Sequence, residues 1–243
     1  MALTRVTANE SVGRQFRFYD IALTAFVVIL LLSNVVGAEK RAVVDLPWFG
    51  PWIFGAGILF FPISYVIDDV MTEVYGYARA RRAIWVGFAA LIFLAVMEWF
   101  VVHLPVAPGW HGQEAYERVF RAGWRIILAS VLAFCVGDFL NSMVLARMKV
   151  WTNGRYLWTR TIGSTIIGEG ADSLIFYPVA FYGLPDWPVA TIATIMLSQF
   201  VLKVSWEVIL TPVTYAIVGW LKRKEGVDVY DEGTNFSPFH TGV

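Results

Sequence analysis

Long apolar runs, separated by short and often basic interruptions, set the pattern of this chain. A bilayer core of about 30 Å takes roughly 20 apolar residues as helix. That ruler predicts six spans, at about Tyr19 to Gly37, Trp48 to Ile67, Ala83 to Leu104, Gly123 to Ala146, Ile162 to Gly183 and Val189 to Trp220. The fifth is interrupted by Ser164, Glu169, Asp172 and Ser173. The sixth exceeds the length needed, so Pro212 is expected to kink it and its end to project from the membrane. The loop from Pro105 to Arg121 has room for a short amphipathic helix over Gln113 to Phe120. The fold class read from this pattern is all-α and polytopic. A lead over 1–18 and a loosely ordered tail over 225–243 flank a six-helix membrane domain over 19–224.

Composition supports the pattern. The chain is 58% hydrophobic and 16% charged, against about 45–50% and about 25% in soluble domains. Eleven Trp and ten Tyr suit the headgroup level, where a ring can keep one polar tip wet. A formal net charge of zero offers no field to draw nucleic acid. Cys135 is the only cysteine, so neither an intrachain disulfide nor a cysteine metal cluster can form. The short run Ile21 to Leu32 could pass for a signal peptide, but no A-x-A-like cleavage site follows it, so an uncleaved span is expected.

Loop charge gives an orientation. Arg5, Arg14 and Arg17 precede the first span, Arg79, Arg81 and Arg82 follow the second, Arg147, Lys149, Arg155 and Arg160 follow the fourth, and Lys222, Arg223 and Lys224 follow the sixth. The alternate loops hold only Lys40, Arg41, Arg118 and Arg121, and the loop near Asp186 holds none. Under the positive-inside rule both termini are cytoplasmic, in keeping with an even number of spans.

The unusual feature is ionisable chemistry at bilayer depth, where each charge costs at least about 2.5–3.5 kcal/mol and faces a partner or a wet cavity. Asn34, Tyr65, Asp68, Asp69, Glu73, Glu98, Asp138, Asn141, Ser142, Ser164, Glu169, Asp172, Lys203 and Glu207 all lie in or at the ends of spans. Asp138 and Asn141 share a helix face, as do Glu169 and Asp172. Lys203 and Glu207, four apart, could neutralise one another. Glu169 and Asp172 repel, so they need cations, protons or donors from elsewhere. The small residues of Gly163 to Gly170 allow close helix approach and a local helix break.

The segment from Phe61 to Tyr77, read Phe61-Pro62-Ile63-Ser64-Tyr65-Val66-Ile67-Asp68-Asp69-Val70-Met71-Thr72-Glu73-Val74-Tyr75-Gly76-Tyr77, followed by Ala80-Arg81-Arg82, resembles the queuosine-precursor transporter family, also called the vitamin uptake transporter family. Ser33-Asn34-Val35-Val36, Val136 to Ser142, and Arg160 to Thr165 with Asp172-Ser173 and Phe176 are similar to further family motifs, in order. Lys203, Glu207 and Thr211-Pro212 fit the last. The resemblance covers about residues 20–235. It implies import of 7-cyano-7-deazaguanine or its aminomethyl relative across the bacterial inner membrane by six helices, similar to the substrate-binding subunit of energy-coupling-factor transporters. Those subunits often carry an A-x-x-x-A docking motif. Here Ala22 is followed four residues later by Phe26, so the motif is absent, which favours a carrier without a separate ATPase module. Glu169 stands where many members carry an amide.

A deazaguanine presents two N–H donors beside a carbonyl, a match for a carboxylate and a cation or amide. Asp172 or Glu169 would grip the donor edge, Asn34 and Asn141 would supply amides, Lys203 a cation, and Phe176, Tyr65 or Trp206 a stacking face. Asp138, Ser164 and Glu207 complete the candidate pocket. Asp69, Glu73, Arg82 and Arg160 form a candidate gating network. No cofactor and no metal are assigned, and small-residue faces permit a homodimer without demanding one. A divalent-cation carrier, an intramembrane enzyme and a structural scaffold are the competing classes. No H-E-x-x-H or G-x-S-x-G occurs, and His103, His111 and His240 lie at or beyond span ends.

Overall fold

The computed structural model describes residues 4–11, 13–37, 41–46, 50–120, 124–185 and 187–240. Strand β1 (Thr4–Thr7) and a turn of helix, α1 (Ala8–Ser11), lead into α2 (Tyr19–Gly37). A hairpin of β2 (Arg41–Leu46) and β3 (Gly50–Gly55) follows, then a 3-10 turn at Ala56–Leu59 and α3 (Phe61–Tyr75). The rest is helical: α4 (Tyr77–Val102), α5 (Gln113–Phe120), α6 (Trp124–Trp151), α7 (Leu157–Phe181) and α8 (Val189–Glu225). Strand β4 (Val227–Tyr230) closes the order.

Tyr19–Val36, Tyr77–Val102, the stretch Gln113–Trp151 and Val189–Glu225 each contain a helix long and apolar enough to cross a membrane. Their outward residues are apolar, with Ile21, Phe93, Trp99, Val189 and Leu197 all well exposed. The buried side chains include Asp68, Asp69, Glu73, Asp138, Lys149, Arg160, Glu169 and Glu207. This inverts the arrangement of a soluble globule, and the chain is a multi-pass helical membrane protein.

The second expected span is corrected. Residues 50–55 are strand and only 61–75 are α-helix. Gly50, Pro51, Gly55 and Gly57 are poor helix residues, while Trp52-Ile53-Phe54 opposite Val43-Val44 suit paired strands. Pro62, in the first turn, starts α3. At 15 residues α3 is about 22 Å long, shorter than a bilayer core. It is the hub of the bundle, packed against α2, α4, α6 and α8, and those neighbours shield its polar side chains from lipid. The predicted ends at Trp48 and Gly123, and the loop residues Lys40, Arg121 and Asp186, lie outside the described residues.

Helix α7 runs unbroken through Gly163 to Gly170, so the local break these residues allow does not occur. Those small residues serve packing instead. A Cβ on Gly168 would lie 2.8 Å from both the Gly137 carbonyl oxygen and Asn141 Cβ, and one on Gly137 would lie 3.0 Å from Asp172 Cβ. α6 and α7 therefore touch backbone to backbone and form the most extensive helix pair. Helix α8 is 37 residues, about 55 Å, and continues past Pro212. Its last turn carries Lys222, Arg223 and Lys224, which suit the negative end of the helix dipole, and Gly226 ends it in a left-handed conformation.

The two ends of the chain meet. β1 and β4 pair in parallel, Thr4 opposite Val227 through Thr7 opposite Tyr230. Val6, Val227 and Val229 form a small core of their own. Beyond β4, Asp231 accepts the Tyr77 backbone N–H, Arg81 donates to the Asn235 and Ser237 carbonyls, and Trp85 donates to the Pro238 carbonyl. Instead of hanging loose, the segment after α8 is strapped across the start of α4. Gly76, at φ 86°, makes the sharp α3–α4 junction beneath it, where a Cβ would press on Val229 Cγ1 at 3.0 Å.

Candidate functional site

Two polar clusters lie inside the bundle. The first joins α7 and α8. Lys203 Nζ sits 2.6 Å from Asp172 Oδ2, to which it donates, and 2.6 Å from Glu169 Oε2, an ion contact without hydrogen-bond geometry. The same ammonium lies 5.6 Å from the centre of the Tyr65 ring on α3. The spacing Glu169–Asp172 puts both carboxyls on one face of α7, and one cation from the facing helix satisfies them. The i,i+4 pairing of Lys203 with Glu207 that the sequence allows is not formed. Glu207 is buried, and its Oε1 is among the described side-chain atoms with no hydrogen-bond partner.

Next to this, α3 meets α6. Asn141 Nδ2 donates to Asp69 Oδ1 at 2.7 Å and to Asp68 Oδ2 at 3.4 Å. Ser142 Oγ donates to Asp68 Oδ2 at 2.8 Å, and Thr72 Oγ1 donates to Ser142 Oγ at 3.1 Å. The two clusters are electrostatic neighbours: Asp138 feels Asp68, Glu169 and Asp172, and Asp69 feels Glu207. Besides Glu207 Oε1, the buried atoms Asp68 Oδ1, Asp69 Oδ2, Asp138 Oδ2, Asn141 Oδ1, Ser33 Oγ and Ser173 Oγ lack hydrogen-bond partners among the described residues. Buried polar atoms are normally partnered. The orphans on Asp68, Asp69, Asp138, Asn141 and Glu207 make this region the candidate site.

Other expected residues make local contacts. Asn34 gives its amide to the Leu30 carbonyl one turn back, and Ser164 gives its hydroxyl to the Thr161 carbonyl. Ser164 thereby uses its one O–H, while Asn34 keeps its second amide N–H. Phe176 packs edge-on against Tyr177 and Phe181. Trp206 is half-buried on α8. Tyr65 faces the charged triad, and Tyr177, which the sequence reading did not select, also lies in its electrostatic range.

A third cluster lies at the end of the bundle that carries β1 and β4. Glu73, almost fully buried, receives Arg160 through both carboxylate oxygens, at 2.9 and 3.3 Å, and Lys222 at 2.6 Å. Lys149 donates to the Glu73 and Val229 carbonyls and to Asp228 Oδ1, which Lys222 also contacts at 2.7 Å. Two carboxylates thus hold three cations. Burial pushes the Asp228 carboxyl up, but Lys149 and Lys222 outweigh it and hold it below its usual range. Of the four residues grouped from sequence, Glu73 and Arg160 meet here, whereas Asp69 lies with Asn141 and Arg82 is exposed. Lys149, Lys222 and Asp228 were not singled out. In sequence they read as ordinary loop and tail charges, and no spacing sets them apart.

The chain is similar to known proteins. Residues 55–217 match a family described as "Putative vitamin uptake transporter". A Bacillus subtilis (strain 168) protein named "Probable queuosine precursor transporter" is 32% identical over 210 residues, covering 80% of this chain and 90% of that protein. Escherichia coli (strain K12) has a "Queuosine precursor transporter" 28% identical over 130 residues, 54% of this chain and 56% of its own length. A Haemophilus influenzae relative, also named "Probable queuosine precursor transporter", is 26% identical over 202 residues, 76% of this chain and 78% of its own. No solved structure matches.

Proposed function

The chain belongs to the vitamin uptake transporter family, and from that premise we propose that it imports queuosine precursors, 7-cyano-7-deazaguanine or its aminomethyl form, across the bacterial inner membrane. It does so as a carrier and not as an enzyme, with six crossings and both termini cytoplasmic. The names of the three relatives support the solute class. The pairing of β1 with β4 supports termini on one side, and the basic loops favour the cytoplasm for that side.

The observation that carries the reading is the bridge from Lys203 to Glu169 and Asp172 beside Tyr65. The ammonium bridges both carboxylates. A guanine-like ring brings two N–H donors that one carboxylate accepts side by side, and a carbonyl for the displaced ammonium. Tyr65 offers the ring a flat neighbour. Asp138, Asn141 and Glu207 line the same region. The Glu73–Arg160–Lys149–Lys222–Asp228 cluster serves as the closed cytoplasmic gate. The reading needs no separate ATPase module.

Uptake of labelled solute into cells unable to make the precursor tests this, with the cyano and aminomethyl forms fed separately. Expected is uptake of at least one form, abolished by Asp172→Asn combined with Glu169→Gln. Uptake of neither form by the wild type removes the assignment. Wild-type affinity in the double variant removes the carboxylate grip.

A further inference from the structure

Six carboxyl groups, Asp68, Asp69, Asp138, Glu169, Asp172 and Glu207, share the middle of the bundle with one ammonium, Lys203. Lys203 is committed to Glu169 and Asp172. Glu73 has its own cations, Arg160, Lys149 and Lys222. Nothing cationic among the described residues contacts Asp68, Asp69, Asp138 or Glu207, although each is more than nine-tenths buried and each keeps one oxygen without a partner. The titratable groups facing this set are Tyr65 and Glu73 from α3, Tyr77 from α4, Cys135 from α6, Glu169 and Asp172 from α7, and Lys203 from α8.

Several bare carboxylates side by side at this depth would face large desolvation and repulsion costs, and groups so placed take up protons. A metal is the other way to neutralise them, but no group of three or more ligating side chains among the described residues is arranged to hold one. The hydrogen bonds around these carboxyls suit a proton. Asn141 Nδ2 and Ser142 Oγ cover one oxygen of each of Asp69 and Asp68, leaving the second oxygen of each as the place for a hydrogen. Asn141 Oδ1, buried and unpartnered beside them, is an acceptor awaiting an O–H donor.

We propose that Asp68, Asp69, Asp138 and Glu207, with Asn141, form a proton-binding site distinct from the Lys203 triad, and that import is coupled to inward proton movement through it. The closed bundle accommodates these carboxyls in their neutral form, and they exchange protons with water when the cavity opens to either side. Asp138 and Glu207 lie within electrostatic range of Glu169, so proton and solute occupancy are linked, and linkage is reciprocal. The coupling half of this proposal rests on the transport reading above; the proton-binding half does not.

The test uses the full chain in proteoliposomes, with the membrane potential clamped and labelled, uncharged 7-cyano-7-deazaguanine as solute. One proton per solute gives about tenfold accumulation per pH unit when the outside is acidic. Asp69→Asn and Asp68→Asn are expected to let solute equilibrate without accumulating it. Accumulation driven by sodium, or equilibration with no response to pH, overturns the coupling and leaves the transport reading intact. No entry of solute under any gradient counts against the transport reading. Infrared spectra of the purified, solute-free protein then decide the site. A protonated-carboxyl band at neutral pH, diminished in either variant, upholds it. Absence of that band from the wild type sinks it even if both variants fail to fold.

Discussion

Lys203 Nζ lies 2.6 Å from an oxygen of each of Glu169 and Asp172, so one side chain of α8 neutralises a repelling pair on α7. Removing one partner of a buried ion cluster costs about 3–5 kcal/mol, whereas neutral replacement of the whole set is often tolerated. Lys203→Met should therefore melt well below wild type in detergent. Adding Glu169→Gln and Asp172→Asn should restore most of the melting temperature but no uptake. A triple variant as unstable as the single one would contradict this account.

The contact of α6 with α7 gives a sharper steric test. Gly168→Ala drives a methyl into the Gly137 carbonyl oxygen, a backbone atom that cannot swing away. Overpacking of this kind costs about 1–3 kcal/mol and should also weaken solute binding, because Asp138 and Asn141 move with α6. Gly170→Ala, whose methyl would meet only Phe200 at 3.8 Å, is the control and should melt like wild type.

Asp228 sets a pH dependence. Its carboxyl is held below 3.8 in the folded chain by Lys149 and Lys222 against the pull of burial. A depressed carboxyl adds stability above pH 3.8 and loses it as pH falls through the folded value. Asp228→Asn should melt lower than wild type at neutral pH, and the gap should close as the buffer is taken below pH 3.8. Asp231, pushed up by burial, is common to both proteins and cancels. A gap that stays constant into acid would refute the ion pairing.

Truncation after Glu225 probes the strap. Val227 and Val229 are fully buried, and the loss of Asp228 and the Val229 carbonyl strips Lys149 of two of its three hydrogen-bond acceptors. The truncated chain should show a lower melting temperature and faster proteolysis at Thr4 to Thr7. Unchanged melting would mean that the strap is ornamental.

Much of this was legible beforehand, for reasons visible in particular residues. The run Gln113 to Phe120 alternates charge and aromatics at helical spacing, and the helix is found there. Glu169 and Asp172 had to be compensated from another element, and they are. What could not be read was partner choice. Lys203 has Glu207 on its own helix at an ideal spacing, yet pairs across to α7, because only the tertiary approach of the two helices decides between them. The pairing of 41–46 with 50–55 was hidden because an apolar run of Trp, Ile and Phe suits a membrane helix and a strand equally well. The ionic cluster at Glu73 was hidden because Lys149 and Asp228 come from distant stretches of the chain that only folding joins.

The parallel ladder between Thr4–Thr7 and Val227–Tyr230 sets a schedule for biosynthesis. The first strand leaves the ribosome early and waits, without its mate, until everything through α8 has been made and inserted. Until then Lys149 lacks Asp228 and the seam beneath Gly76 stands uncovered. Closure of the ring is therefore a final maturation step, and a chain stalled in translation before β4 exposes that seam to any protease surveying the same side of the membrane.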